Sequence, residues 1–315
     1  MDRWSELILG DLPDFPNNGN ADLFGGRLNF TYTGYVYDVV VGAQLEDFTN
    51  ITYTYPGDCN RADVVSYCGS SRIIGSGGPS TSQRFNGDST TFNTVAGTVR
   101  LERLNFLCCD EDTDRRLTIL HEIGHVLGIG IFDSSGASFD TGTPLSFQRF
   151  CRQDPQNNNV LANYNSFVPN PPTSVTYWNG VDSNYKNTTY KGGQASMEDC
   201  VAEGCGGGSN CSHWDIEMFP SNPPGDFQQA QELMAYASRD NWAQVITGLS
   251  LGILADVGYD DGANVRVDFS KADPYPTPNG FTNRGESNII IARKYMDWSM
   301  MLDEDPPTIV ERTRP

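Results

Sequence analysis

DEDTDRRLTILHEIGHVLGIG, residues 110–130, contains the first clear helical pattern in the chain. Its apolar and small residues recur at intervals of three and four, the spacing of one helix face: Leu117, Leu120, Ile123, Gly124 and Leu127. Acidic side chains crowd the start, where carboxylates cap free amides and oppose the positive end of the helix dipole. Gly128 and Gly130 predict the end of the helix. We expect a helix over about 110–127.

Two histidines, His121 and His125, lie four residues apart on this predicted helix. Because four residues make about one turn, both imidazoles project from the same face toward one metal ion. A zinc ion lowers the pKa of its bound water to near neutrality, and the neighbouring Glu122 can accept the proton. The pattern H-E-x-x-H therefore predicts one catalytic Zn²⁺ with Glu122 as general base. The alternative is a pair of structural histidines on an ordinary helix.

The third metal ligand is less well determined by spacing. A catalytic zinc ion takes three protein ligands and a water molecule, and His213 is the one histidine left in the chain. The compact pattern H-E-x-x-H-x-x-G-x-x-H has its glycine at Gly128, but Ile131 stands where its third histidine belongs. The ligand must therefore come from farther along. The candidates are His213 and the downstream acids Glu203, Glu217 and Glu232.

Three short segments resemble the leishmanolysin family of metzincin zinc peptidases: HEIGHVLGIG at 121–130, SHW at 212–214 and ELMA at 232–235. In that family an insertion separates the helix from the third histidine. The resemblance implies that His121, His125 and His213 bind zinc and that Met234 forms the Met-turn, a buried methionine beneath the metal. Less specific similarities extend over most of the chain: residues 3–4, 75–79, 249–259 and 267–275.

Tyr236 and Gly124 are secondary candidates. Some other metzincins carry a tyrosine two residues after the Met-turn methionine, so Tyr236 is either a fifth ligand or oxyanion donor, or an ordinary packed or solvent-facing tyrosine. Gly124 costs the helix on the order of 1 kcal/mol relative to alanine. We expect that its small size permits close approach of the Met-turn or of a facing strand.

The resemblance implies an α+β metzincin-like fold. We expect an N-terminal twisted mixed sheet subdomain that ends in the active-site helix (1–130), an irregular C-terminal subdomain with the third ligand and the Met-turn (131–262), and an extension packed on the catalytic domain (263–315). β-branched and aromatic runs predict the strands: 28–32, 35–41, 51–55 and 98–104. Further helices are predicted near 145–152, 195–202 and 242–257.

Charge and hydropathy exclude several classes of partner. The net charge of -19 repels phosphate backbones and anionic lipid, which argues against nucleic acid and membrane surfaces. The apolar run Ile289 to Ala292 is too short to span a bilayer. The acids at Asp110, Glu111, Asp112 and Asp114 are interpreted as helix-start residues, and a calcium site is the alternative, although they lack the spacing of a calcium loop. We expect a monomer whose partners are protein or peptide substrates.

Eight cysteines favour disulfide bonds and an oxidising compartment, because no C-x-x-C pair is present. Cys59 and Cys68 are close enough in sequence to staple one loop, and Cys151 can reach one of Cys200, Cys205 and Cys211. The sequons at Asn29, Asn50, Asn187 and Asn210 also favour a secreted or cell-surface glycoprotein. The first residues lack an apolar core, so we expect no signal peptide in this chain.

We therefore expect a zinc-dependent endopeptidase with a glutamate general base. Two other functions remain open from the residues. One is a zinc hydrolase whose third ligand is an acid. The other is a non-catalytic extracellular adhesion or binding protein on the same fold.

Overall fold

The architecture comes from a computed structural model of the chain, in which open β-sheets are combined with short and medium helices. The structure describes residues 2–17, 19, 21–48, 59–68, 74–84, 92–109, 112–130, 151–154, 175–178, 196–197, 213–214, 230–235, 243–260 and 265–273. The coarse prediction of a mixed α+β chain is confirmed for this part.

Four α-helices lie in the described residues: α1 (Asp2–Leu7), α2 (Ala62–Cys68), α3 (Asp112–Val126) and α4 (Gly248–Leu254). Shorter helical turns cover Asn105–Cys109, Ala255–Tyr259 and Phe269–Lys271. None of the helices that the structure describes has the length and apolar character needed to cross a membrane.

Ten strands lie in the same residues: β1 (Ile8–Gly10), β2 (Val40–Glu46), β3 (Gly75–Arg84), β4 (Phe92–Glu102), β5 (Cys151–Asp154), β6 (Val175–Trp178), β7 (Ser196–Met197), β8 (Ala230–Glu232), β9 (Ala243–Val245) and β10 (Val265–Val267). They form separate small sheets with the orders β2-β4-β3, β5-β6-β7, β8-β9 and β1-β10.

The mixed sheet β2-β4-β3 supports the long helix. Its central strand β4 pairs in parallel with β2 and antiparallel with β3, so β3 is an edge strand among the described residues. Helix α3 packs across β3 and β4. Gly97 of β4 permits this approach, because a Cβ atom there would overlap the Val126 side chain. The Thr94 hydroxyl also donates to the Val126 carbonyl at 2.6 Å and fixes the end of the helix on the sheet.

The ends of the described chain meet in the small sheet of β1 and β10, which pair antiparallel. The Arg3 guanidinium reinforces this junction by donating to the Lys271 carbonyl and to the Asp273 carboxylate. One core cluster lies between α1, α3 and α4, and its largest fully buried members include Leu7, Trp214, Met234, Leu249 and Tyr259. The N-terminal segment is therefore part of the packing around the long helix.

Five predictions of local structure are wrong or incomplete. The strand predicted over 35–41 begins only at Val40, and residues 151–152 of the helix predicted near 145–152 lie in β5. Residues 243–245 of the helix predicted over 242–257 form β9 instead, and the helix begins only after Thr247, whose extended backbone and side-chain bond to the Leu249 N–H cap it. Ser196–Met197, predicted to be helical, pairs with β6. Residues 28–32 form no strand, and the Tyr32 N–H donates to the Asp22 side chain instead of to a neighbouring strand. The predicted elements at 51–55 and at 145–150 lie outside the described residues.

The predicted staple between Cys59 and Cys68 is also wrong. Cys59 bonds to Cys108 and Cys68 bonds to Cys109. Helix α2 separates the first two cysteines, so each meets one member of the adjacent pair in the turn before α3. The segment 59–68 is thereby fastened to the approach to the long helix. The pairing expected for Cys151 lies outside the described residues.

Candidate metal centre

Helix α3 places His121 and His125 one turn apart on one face, with ring centroids 4.8 Å from each other. The helix ends in a Schellman turn: the Gly128 N–H donates to the His125 carbonyl and the Ile129 N–H donates to the Gly124 carbonyl. Gly128 has a φ of 114°, which a side chain would oppose. This turn brings the Ile129 carbonyl within 2.6 Å of His125 Nδ1.

Both helix histidines have a defined tautomer. His121 Nδ1 lies 2.6 Å from the Leu233 carbonyl oxygen, as His125 Nδ1 does from the Ile129 carbonyl. Since a carbonyl oxygen can only accept, each Nδ1 carries the proton and each neutral ring leaves the lone pair of its Nε2 free to bind a metal. Such carbonyl contacts are the usual outer partners of metal-binding histidines.

His213 joins the pair from a distant part of the chain. Its Nε2 lies 3.1 Å from that of His121 and 3.1 Å from that of His125, and those two atoms are also 3.1 Å apart. Its ring is stacked on His121 and perpendicular to His125. Three nitrogens therefore converge on one point.

The convergence fits a metal ion. Zinc–imidazole bonds of about 2.0–2.1 Å put tetrahedral ligand atoms about 3.3 Å apart, close to the separation found in this cluster. Lone pairs directed at a common point repel one another, and a cation between them removes that repulsion. The three histidines could thus hold a metal ion.

Protonation of these rings is disfavoured. Burial lowers the pKa of His121, and burial together with the nearby His121 charge lowers the pKa of His125 to about 3. The neutral imidazole is the form that binds a metal. Burial therefore favours the neutral form of His121 and His125, the form that can accept a cation.

Glu122 lies on the side of α3 that faces the edge strand β3. Its side chain is buried, with 5% exposed, and burial raises its pKa to about 8, although a hydrogen bond from the Gly77 backbone opposes the rise. The glycines of β3 make room for it. A Cβ atom on Gly75 would lie 2.7 Å from Glu122 Oε1, and one on Gly77 would overlap the Glu122 backbone carbonyl.

Met234 is fully buried beneath α3. A Cβ atom on Gly124 would overlap its sulfur and would lie 3.0 Å from its terminal methyl carbon, so the small size of Gly124 permits the close approach of Met234. The Met234 carbonyl accepts the Trp214 N–H at 2.9 Å. The methionine segment therefore contacts both the helix and the segment that carries His213.

The remaining candidates do not join this cluster in the described part of the chain. Glu232, one of the acids weighed as third ligand, is fully buried and accepts the Thr247 N–H at 2.9 Å with Oε2. It is not among the residues grouped around the metal position. Glu203, Glu217 and Tyr236 lie outside the described residues, as do Asp110 and Glu111.

Sequence reasoning missed several groups that hold the centre together. The carbonyls of Leu233 and Ile129 leave no trace in side-chain patterns. The glycine run at 75–78, which the sequence marks only as a weak family similarity, lies within β3, the edge strand of the described mixed sheet. The structure shows why glycine is needed there, because Glu122 packs closely against Gly75 and Gly77.

Comparison with protein-family models finds no match, and comparison with curated proteins finds none either.

Proposed function

We propose that this chain is a zinc-dependent endopeptidase of the leishmanolysin-like metzincin class, with His121, His125 and His213 as ligands and Glu122 as general base. One observation supports the proposal above all others. The Nε2 atoms of the three histidines lie 3.1 Å from one another, and the helix that carries two of them also carries the buried Glu122. The segments HEIGHVLGIG, SHW and ELMA support the class by resemblance.

The donor set favours zinc. Three neutral imidazoles suit Zn²⁺ better than calcium or magnesium, which prefer oxygen ligands. Three protein ligands leave a fourth position for water or substrate, as in catalytic zinc sites, whereas structural sites use four protein ligands.

Proton transfer is the part of the chemistry that the chain itself performs. A zinc ion bound there would act as a Lewis acid, polarising the substrate carbonyl and lowering the pKa of the attacking water. The Glu122 carboxylate accepts a proton from that water and then donates it to the departing amine. Its pKa, about 8 in the buried site, falls when a positive charge is near, which favours the ionised base at neutral pH.

Strand β3 offers a place for the substrate. It is the edge of the mixed sheet among the described residues, and Glu122 contacts it at Gly75 and Gly77. An extended peptide can pair with such an edge through main-chain hydrogen bonds. A peptide bound along β3 would pass next to the general base.

The disulfides support action in an oxidising, extracellular environment. Two disulfides fasten the segment 59–68 to the turn before α3. Disulfides persist mainly in secreted and cell-surface proteins. The exposed sequon residue Asn29 is accessible for glycosylation, as a secreted glycoprotein would require.

A peptide-library digest with quantified zinc tests the proposal. We expect one zinc ion per chain, cleavage that stops when a chelator removes it, and cleavage that returns on adding zinc. His213→Ala should lose both metal and cleavage. A zinc-loaded parent that cuts no peptide would show that the chain binds metal without acting as a peptidase. Full zinc retention by His213→Ala would show that the third ligand is another residue, such as an acid.

A further inference from the structure

His213 depends on the residue that follows it. Trp214 is fully buried, and its backbone N–H donates to the Met234 carbonyl at 2.9 Å. It also forms a parallel bridge with Ala235. Its indole N–H donates to the Ser250 hydroxyl of α4 at 3.1 Å. Both its backbone and its side chain are therefore anchored, which restricts the position of the adjacent His213 backbone.

Ser250, which accepts the Trp214 indole N–H, belongs to a small group of buried polar residues. Ser250, Thr247 and Glu232 are each 1% exposed or less. Glu232 Oε2 accepts the Thr247 N–H, and the Ser250 and Thr247 hydroxyls approach the carboxylate closely enough to lower its pKa against the effect of burial. Oε1 has no hydrogen-bond partner among the described residues. We refer to these three residues together with Trp214 as the buried polar hub: Trp214, Glu232, Thr247 and Ser250.

The hub also reaches the other end of the metal centre. Glu232 precedes Leu233, whose carbonyl accepts the Nδ1 proton of His121 and whose N–H donates to the Val245 carbonyl at 2.7 Å. The bond from Thr247 to Glu232 therefore ties α4 to the strand that orients His121. The bond from Trp214 to Ser250 ties the same helix to the segment that carries His213.

We infer that Ser250 and Glu232 are positioning residues of the metal centre: through Trp214 and Leu233 they fix His213 and His121 relative to each other. Neither residue contacts the metal position. Their effect is to hold two ligands, 92 residues apart, in one arrangement before an ion binds. A buried polar group of this kind is costly unless its members satisfy one another, which the hub does in part.

The inference rests on the metal centre of the proposed function, but its test does not require catalysis. Zinc affinity of the full chain is measured by competition with a chromophoric chelator for the parent, Ser250→Ala and Trp214→Phe. Ser80→Ala is the matched control, because the Ser80 hydroxyl also donates one hydrogen bond, to the Leu23 carbonyl at 2.7 Å, and no hydrogen bond among the described residues joins it to the three histidines or to the residues that hold them. Visible spectra of the Co²⁺-substituted proteins report the ligand set.

We expect Ser250→Ala and Trp214→Phe to bind zinc about ten-fold or more weakly than the parent and to show altered Co²⁺ spectra, as loss of outer partners does in other metal sites. Glu232→Gln, which keeps an acceptor for the Thr247 N–H, should retain more affinity than Glu232→Ala. Ser80→Ala should bind like the parent.

Thermal unfolding of the metal-free variants separates positioning from general stability. Weaker binding in hub variants that melt no lower than Ser80→Ala supports the inference. Parent affinity in both Ser250→Ala and Trp214→Phe overturns it, as does an equal loss in Ser80→Ala. If one hub variant fails to fold, the other and Glu232→Gln decide. A parent that binds zinc tightly but cleaves nothing contradicts the proposed function and leaves this result intact.

Discussion

At the scale of single residues, Gly77 and Gly78 are neighbours in β3 whose surroundings differ. A Cβ atom on Gly77 would overlap the backbone carbonyl of Glu122, whereas one on Gly78 meets nothing within 4 Å. We expect Gly77→Ala to destabilise the protein by about 1–3 kcal/mol, since backbone cannot move aside as a flexible side chain can. Urea unfolding measures the change.

Gly78→Ala is the matched control for that measurement. Its free energy of unfolding should differ from the parent by roughly 0.5 kcal/mol or less. Peptide cleavage should fall in Gly77→Ala because Glu122 is displaced, and it should persist in Gly78→Ala. Equal behaviour of the two variants would show that the close approach of β3 and α3 does not exist in solution.

Gly128 provides a second test at this scale. Its φ of 114° closes the turn that presents the Ile129 carbonyl to His125, so Gly128→Ala strains the turn by on the order of 1–3 kcal/mol. We expect weaker zinc binding as well as lower stability. Gly248→Ala, at a helical position with open space around it, should be neutral or stabilising. Parent-like zinc affinity in Gly128→Ala would show that this turn does not contribute to metal binding.

Residue-level prediction from sequence was confirmed for the placement of the two helix histidines on one face, which local spacing determines. His121, Glu122 and His125 follow from one turn of helix, and Gly128 and Gly130 from the need for positive φ at its end. His213 required elimination and resemblance, because 87 intervening residues separate it from His125. Ser250 and Glu232 could not be found, since their partners are set by tertiary contact.

At the scale of elements, the junction of β8 and α4 contains a titrating group. Burial raises the pKa of Glu232 to about 7 from an ordinary 4.5, and the Asp273 charge adds to the rise. Between those values the folded protein binds more protons than the unfolded chain. The contribution of Glu232 to stability is therefore greatest below about pH 4.5 and falls as the pH rises to about 7.

Glu232→Gln removes this titration and keeps an acceptor for the Thr247 N–H. We expect the free energy of unfolding of the metal-free parent, minus that of the variant, to decline by up to about 3 kcal/mol between pH 4.5 and 7. Urea unfolding at a series of pH values gives the difference, in which titrations shared by both proteins cancel. A difference that is flat with pH would place an ionised Glu232 in the folded state.

The two clearest helical predictions had different outcomes for physical reasons. Helix α3 was predicted within two residues because its periodicity, acidic start and glycine end all agree. The helix predicted over 242–257 failed at its start, because residues 243–245 gain ladder bonds with β8 that local propensity does not reveal. Non-local strand pairing also decided residues 196–197.

At the scale of the whole molecule, the paired disulfides enclose almost the same region. Their sequence separations are 49 and 41 residues, and the second cysteines are adjacent. In the chain-entropy model a loop of this length stabilises the fold by about 4 kcal/mol, but a second bridge across the same region adds less than the first.

Single and double removals test this arrangement. Replacing either pair with serine should cost clearly less than replacing both, and the double removal should cost about 3–5 kcal/mol of unfolding free energy. Denaturant unfolding of the three variants gives the comparison. Additive losses would mean that the two bonds constrain independent regions. A double removal without cost would mean that the segment 59–68 is not fastened in the native protein.

The proposed role of Glu122 as general base beside a histidine-held metal is tested by the cleavage rate of Glu122→Gln at a zinc content matched to the parent. We predict one zinc ion in each protein and a cleavage rate about 10²–10⁴-fold lower in the variant. A variant that cleaves at the parent rate would show that Glu122 is not the general base.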